Sequence, residues 1–274
     1  MEGIIGEVPA LFSARSLGRK TMRVVTYNIH KGFSIANRQF ILSEMRQALH
    51  NLNADVVLLQ EVQGEHRRKA RTVERWPSAE QHVFLADGHF DYKVYGRTWD
   101  GFDGHHGNAV LSRFPIIYSN NIDISNVFFQ KRSLLHVVVL VSPERPPVHF
   151  ICLHFDLHEK GRLAQVNRLV ERIEQTVPHH TPLVIAGDFN DWRGIISSHL
   201  EQGCGVAEAH KFIHGRYARS FPSTFPLLPL DRVYSRGLDC RAVKCLSGTP
   251  WTQLSDHVPL LADFEFREAL TSPE

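Results

Sequence analysis

No stretch of this chain approaches the roughly 18 uninterrupted apolar residues that a membrane helix needs. The first twenty residues carry no long apolar segment after a basic start, so nothing there reads as a secretory signal. Net charge is nearly absent as well: 31 Lys and Arg stand against 29 Asp and Glu, a formal +2. A whole-molecule field that gathers nucleic acid is thereby excluded, and any attraction to phosphate must be local. Cysteine is scarce: Cys152, Cys204, Cys240 and Cys245 form no C-x-x-C pair and no dense framework. Reduced thiols in a cytoplasmic protein are the expectation, with Cys152 a small core residue inside an apolar run. Repeats, low-complexity tracts and dividing linkers are missing too. The expected organisation is a flexible leader over 1–21, a single domain over 22–268 and a short tail over 269–274.

Histidine, at 17, is abundant, and so are apolar runs that end on a polar group. In order these are VVTYN (24–28), VVLLQE (56–61), FICLH (150–154), VIAGDFN (184–190), LDRVY (230–234) and SDHVPLL (255–261). Runs this rich in Val, Ile and Leu read as strands buried on both faces. Each such strand carries its terminal Asn, Glu, His or Asp to one rim of a sheet, so six of them suggest a converging site. Helical spacing of apolar residues predicts helices over 38–50 and 161–177. Further strands are expected over 108–113, 116–124, 133–141 and 241–246. A β-α-β opening beside hairpins implies mixed sheets, and two packed sheets with helices outside would bury them. The stretch 64–107, charged and glycine-containing, reads as a long irregular region.

The rim residues form a chemical kit. Gly187 permits a tight exit from its strand, and Asp188 and Asn190, two apart, can face one side. An Asx-rich turn that satisfies its own backbone is the alternative for these two. Ser255-Asp256-His257 places an imidazole beside a carboxylate, and Asp231 offers a second acidic partner, the arrangement of a general base. Glu61 is a plausible oxygen ligand for Mg²⁺, with Asn28 either orienting it or touching the metal. His154 would donate to a phosphate from the side opposite the base.

The set Asn28, Glu61, His154, Asp188, Asn190, Asp231, Asp256 and His257, in that order, resembles the endonuclease/exonuclease/phosphatase (DNase I-like) superfamily over about residues 22–266. NIHKGF (28–33), GHHGNAVLSRFPI (104–116), AGDFNDWR (186–193), FPLLPLDRVY (225–234) and LSDHVPL (254–260) look like its bacterial YbhP-like branch. The resemblance implies an α/β fold, a four-layer α/β/β/α sandwich with the site at one end of two sheets. It implies Mg²⁺- or Mn²⁺-dependent hydrolysis of a phosphoester, with Glu61, Asn28 and Asp256 at the metal and His257, Asp231, Asp188, Asn190 and His154 catalytic. Asn108, Arg113, Arg162 and His106 are the expected substrate contacts.

The substrate stays open between three classes. For nucleic acid, the basic segment 66–75 would track phosphates while Trp99 and Phe102 stack on bases. For a phospholipid headgroup, Phe225, Leu227 and Leu228 of the segment 221–230 would dip into a bilayer. An inositol phosphate or other phosphorylated small molecule would instead use arginines such as Arg113, Arg132 and Arg162. A catalytically silent phosphate-binding module is the alternative from another class, and a monomer is expected throughout.

Overall fold

A computed structural model describes residues 18–126 and 131–267. Most of the expected leader and the whole of the expected tail lie outside them. Arg19 already belongs to the fold, because the buried Asp55 carboxylate requires a cation and Arg19 supplies it at 2.6 Å.

The chain opens with β1 (Thr21–Asn28), α1 (Leu42–Asn51), β2 (Val56–His66) and two short helices, α2 (Arg67–Thr72) and α3 (Gln81–Ala86). β3 (Tyr92–Gly101) and β4 (Gly104–Ser112) make a hairpin, and β5 (Ile116–Asp123), β6 (Ser133–Val139) and β7 (Val148–His154) follow. Then come α4 (Glu159–Thr176), β8 (Leu183–Asp188), α5 (Ser197–Cys204), β9 (Ala207–Glu208) and α6 (Ala209–His214). The chain closes through β10 (Asp231–Arg236), β11 (Leu238–Cys245), α7 (Trp251–Leu254) and β12 (Leu260–Phe266). These strands form two six-stranded mixed sheets, ordered β11-β12-β1-β2-β4-β3 and β5-β6-β7-β8-β10-β9.

Period-two alternation explains the layers. In β1, Val24 faces the second sheet while Val25 and Tyr27 face outward onto Met45, Leu49, Leu85 and Trp251. In β7, Phe150 and Cys152 turn inward, and Ile151 and Leu153 turn out under Val166, Leu169 and Ile173 of α4. Each central strand is thus buried on both faces, which is why its sequence is an apolar run. Gln60 carries a polar group into the inter-sheet core: it donates to Thr26 Oγ1 at 3.2 Å, to Leu58 O and to Cys152 Sγ, so its burial is compensated. The fold is the expected α/β sandwich with helices outside both sheets.

Two expectations need correction. The region 64–107 is not irregular, for it holds the end of β2, α2, α3, β3 and the start of β4. β3 is an edge strand with much of its surface in solvent, so YKVYGRTWDG shows no apolar run. Glu61 does not end its strand either. β2 continues to His66 through a bulge, with the register against β4 breaking between Leu59 and Val62 and Glu61 at φ +55°.

A buried pair, His136 Nε2 and His149 Nδ1, meets at 3.0 Å between β6 and β7. Burial, reinforced by His149 and Arg172, pushes His136 down to about 3, and burial with Arg236 pushes His149 down to about 4. Unfolded imidazoles titrate near 6.5, so the unfolded chain gains protons first and stability falls as pH drops below that value toward 4 and 3. From His136 alone the loss should reach about 2 kcal/mol by about pH 5, read from urea unfolding. Replacing both residues by Gln should flatten that slope, and an unchanged slope would assign the acid sensitivity elsewhere.

Candidate active site

Strand pairing builds the site. In parallel register, β7 sets His154 across from Asp188 of β8, and in antiparallel register β10 sets Asp231 across from the same Asp188. From the facing sheet, β1 ends at Asn28, beside the β2 bulge that turns Glu61 toward it. Gly187 is required at the strand exit: at φ +150° a Cβ would collide with Leu153 O of β7.

Contacts at the rim form one network. Asn28 Nδ2 donates to Glu61 Oε1 and to Asp188 Oδ2, each at 3.2 Å, so one amide joins carboxylates from both sheets. Its Oδ1 accepts from His30 N. His154 Nε2 lies 3.5 Å from Asp188 Oδ2, and His257 Nε2 lies 3.7 Å from the same oxygen. His257 Nδ1 donates to Asp231 Oδ2 at 2.7 Å, and Ser220 Oγ donates to that oxygen at 2.6 Å. Asp231 Oδ1 is buried without a hydrogen-bond partner. Asn190, at φ +50°, donates its backbone N–H to Asp188 Oδ1 and its amide to Phe155 O. Asp256 pairs with His30 Nδ1 at 3.1 Å, and Glu61 Oε2 with Lys31 Nζ at 2.9 Å.

Protonation follows from these partners. Burial alone would raise Glu61, but Lys31, His154 and the Asn28 amide outweigh it and hold the carboxyl far below its ordinary range. For Asp256, burial is likewise outweighed by His30 and His257, so it too is ionised. Burial raises Asp188, and His154 and His257 oppose the rise. His154 is pushed down to about 4 by burial and Arg132, so it is neutral. His257 behaves oppositely: burial would lower it, yet Asp231, Asp188 and Asp256 raise it to about 10.

All eight expected metal and catalytic residues therefore stand in one network. The four expected substrate contacts divide. His106 lies under Trp99, with ring centroids 5.2 Å apart, and Glu61, Lys31, Arg132 and Lys69 all act on its charge. Asn108 is buried beside the bulge and donates to Ser133 O. Arg113 does not reach the rim: it follows β4 at the opposite end of the sheet, where its N–H bonds Asp55 O and its guanidinium meets His89 and Asn53. Arg162 is buried, and it donates to Asp156 O and Leu157 O, pinning the loop that leaves His154. Sequence reasoning missed His30, Lys31 and Ser220. The first two lie within NIHKGF and were readable as polar neighbours of Asn28, whereas Ser220 has no signal outside three dimensions.

Two donor sets can be compared for a cation. Asp188, Asp231 and His257 offer ligand atoms within 4.8 Å of one another, and in this cluster His257 Nδ1 and Asp231 Oδ2 are already bonded to each other. Glu61 and Asp256 are ionised carboxylates on the cleft side, and oxygen donors of this kind suit a hard divalent ion. The residues present fit such an ion at Glu61.

Residues 25–257 match the model of the Endonuclease/Exonuclease/phosphatase family. The chain belongs to that family. It is 42% identical over 243 residues to YbhP of Escherichia coli (strain K12), covering 89% of this chain and 96% of that protein. Among solved structures it is similar to an endonuclease/exonuclease/phosphatase from Beutenbergia cavernae, at 20% identity and a TM-score of 0.70 over 93% of this chain and 74% of that one. It is also similar to D. rerio TDP2 complexed with single-strand DNA product, at 15% identity and a TM-score of 0.62 over 89% of this chain and 99% of that one.

A buried ion pair backs this network from behind. Arg232 Nη1 meets Asp191 Oδ2 at 3.0 Å with both side chains fully buried, and the Asp191 carboxylate also accepts from Ile195 N and Ile196 N. It fixes the loop that follows Asn190. Removing one member strands the other charge, so Arg232→Met should cost about 3–5 kcal/mol in urea unfolding, and a loss under about 1 kcal/mol would contradict this role.

Proposed function

We propose that this protein is a divalent-metal-dependent phosphoesterase, foremost a phosphodiesterase or nuclease, in which water activated by His257 and Asp231 attacks phosphorus. The observation that carries the reading is the His257–Asp231 bond of 2.7 Å, which leaves Nε2 facing the cleft beside Asp188.

Asp231 fixes the ring with Nδ1 protonated, and Ser220 fixes Asp231. Nε2, once deprotonated, takes a proton from water as the water oxygen bonds to phosphorus and the bond to the leaving oxygen breaks. The leaving oxygen is protonated from solvent. Neutral His154 and the second amide hydrogen of Asn190 donate to non-bridging oxygens, whose charge grows in the transition state. Glu61 and Asp256 would hold Mg²⁺ or Mn²⁺, with Asn28 orienting Glu61. When bound, the cation supplies positive charge that offsets the carboxylates raising His257 and neutralises the phosphoryl oxygens.

Turnover of bis(4-nitrophenyl) phosphate should fall about 10²–10⁴-fold in His257→Ala and about 10²–10³-fold in Asn190→Ala. Either variant within about threefold of the parent would overturn its assigned role. EDTA should abolish turnover, and Glu61→Gln should weaken Mg²⁺ binding by about tenfold or more in calorimetry, a readout independent of catalysis.

A further inference from the structure

Among the described residues, every exposed large hydrophobic side chain except Phe212 and Ile213 stands on a loop or on the β3–β4 hairpin at the catalytic end of the sheets. On one flank is the β3–β4 hairpin, with Trp99 on its arm and Phe102, 98% exposed, at its tip. On the other flank the segment 221–229, which leads into Asp231, presents Phe225 at 69% exposure with Leu227 and Leu228. Between them, Leu157 follows His154 and Trp192 follows Asn190. β3 is an edge of one sheet, while 221–229 is tied to the 255–258 segment by Ser223 N to Asp256 O and Val258 N to Ser220 O. The two apolar arms therefore stand on opposite sides of the catalytic cleft.

Cations accompany the apolar tips. Arg67, Arg68 and Arg71 of α2 line a shallow cavity of about 340 Å³ together with Phe102. Arg67 pairs with Glu65, whereas Arg68 and Arg71 have no ion-pair partner among the described residues. Lys69 packs its ammonium over Phe33 and Trp76, at 4.7 and 5.7 Å from the ring centroids, with no carboxylate at ion-pair distance among the described residues.

Apolar tips with arginines beside the hairpin flank suit two kinds of anionic polymer or surface, and the aliphatic members decide between them. Stacking onto bases needs π faces. Leu157, Leu227 and Leu228 have none, and exposed leucine and aromatic tips at one end of the sheets, with arginines beside the hairpin tip, are the composition of a membrane-interface element. We propose that the mouth of the site docks on an anionic phospholipid surface. The hairpin tip and the 221–229 loop enter the acyl boundary, and the α2 arginines pair with headgroup phosphates. The phosphoester offered to His257 is then that of a lipid headgroup. This last step rests on the phosphoesterase reading, whereas the docking itself does not.

The test is co-sedimentation of the full chain, in EDTA to stop turnover, with vesicles of phosphatidylglycerol and phosphatidylcholine or of phosphatidylcholine alone. Binding should be at least about tenfold stronger to the anionic vesicles. It should fall by about tenfold or more in Leu227→Ser/Leu228→Ser and in Phe102→Ser, and in Arg68→Gln/Arg71→Gln. Thermal melting in EDTA checks that each variant folds, and the soluble nitrophenyl ester, where it is turned over, should be hydrolysed within about twofold of the parent. Protein left in the supernatant with anionic vesicles overturns the proposal, as do folded variants that sediment like the parent. Single-strand oligonucleotide binding that the same substitutions abolish, without vesicle binding, assigns the rim to nucleic acid and overturns it too. Vesicle binding without any ester hydrolysis upholds the docking and sinks the enzymatic reading instead.

Discussion

Asp188 has a proposed catalytic partner on either side, His154 and Asp231, because of how β8 pairs, parallel to β7 and antiparallel to β10. That register is the constraint on which the rest of the site depends. It gathers His154, Asp188 and Asp231 on one rim, where Asp188 and Asp231 are buried carboxylates that are costly unless compensated. Compensation comes from His257 on Asp231 and from Asn28, delivered by the opposite sheet, on Asp188. A slip of one residue in β10 would turn Asp231 to the other face and leave His257 without its partner. Packing between the sheets therefore sets the chemistry, since β1 and β8 must meet closely enough for one amide to touch carboxylates from both.

Around this rim the chain accepts strain and spends polar groups to hold it. Glu61 and Asn190 both occupy the left-handed region, uncommon for residues other than glycine. Glu61 is held there by a bulge, and Asn190 by its bonds to Asp188 and Phe155. Behind them the Arg232–Asp191 pair, Gln60 and Ser220 satisfy groups that would otherwise be stranded. The polar shell is thus a consequence of placing acids at the ends of fully buried strands.

Sequence alone made the central strands legible because burial on both faces leaves long apolar runs, and it made their ends legible because a polar residue interrupts each run. The same logic failed at β3, an edge strand whose solvent face erases the run. It failed at Glu61, since an apolar run that meets Glu looks the same whether the strand stops or bulges. Arg113 and Arg162 were expected near substrate on charge alone, but charge carries no direction along a strand. Following β4 downward from His106 places Arg113 at the far end, and the helical phase of Arg162 buries it. Arg232 could have been read as structural, being an Arg inside a core strand that needs a buried acid such as Asp191. Ser220 depends on a loop returning to Asp231, which no local pattern announces.

The proposed reaction places phosphoester hydrolysis, by attack of water at phosphorus, on one rim built from both sheets. Hydrolysis in ¹⁸O-labelled water tests this most directly. The prediction is that the label appears in the phosphate product and the leaving alcohol stays unlabelled. Label in the alcohol, or no hydrolysis across soluble diesters, nucleic acids, inositol phosphates and phospholipids with Mg²⁺ or Mn²⁺, would contradict it.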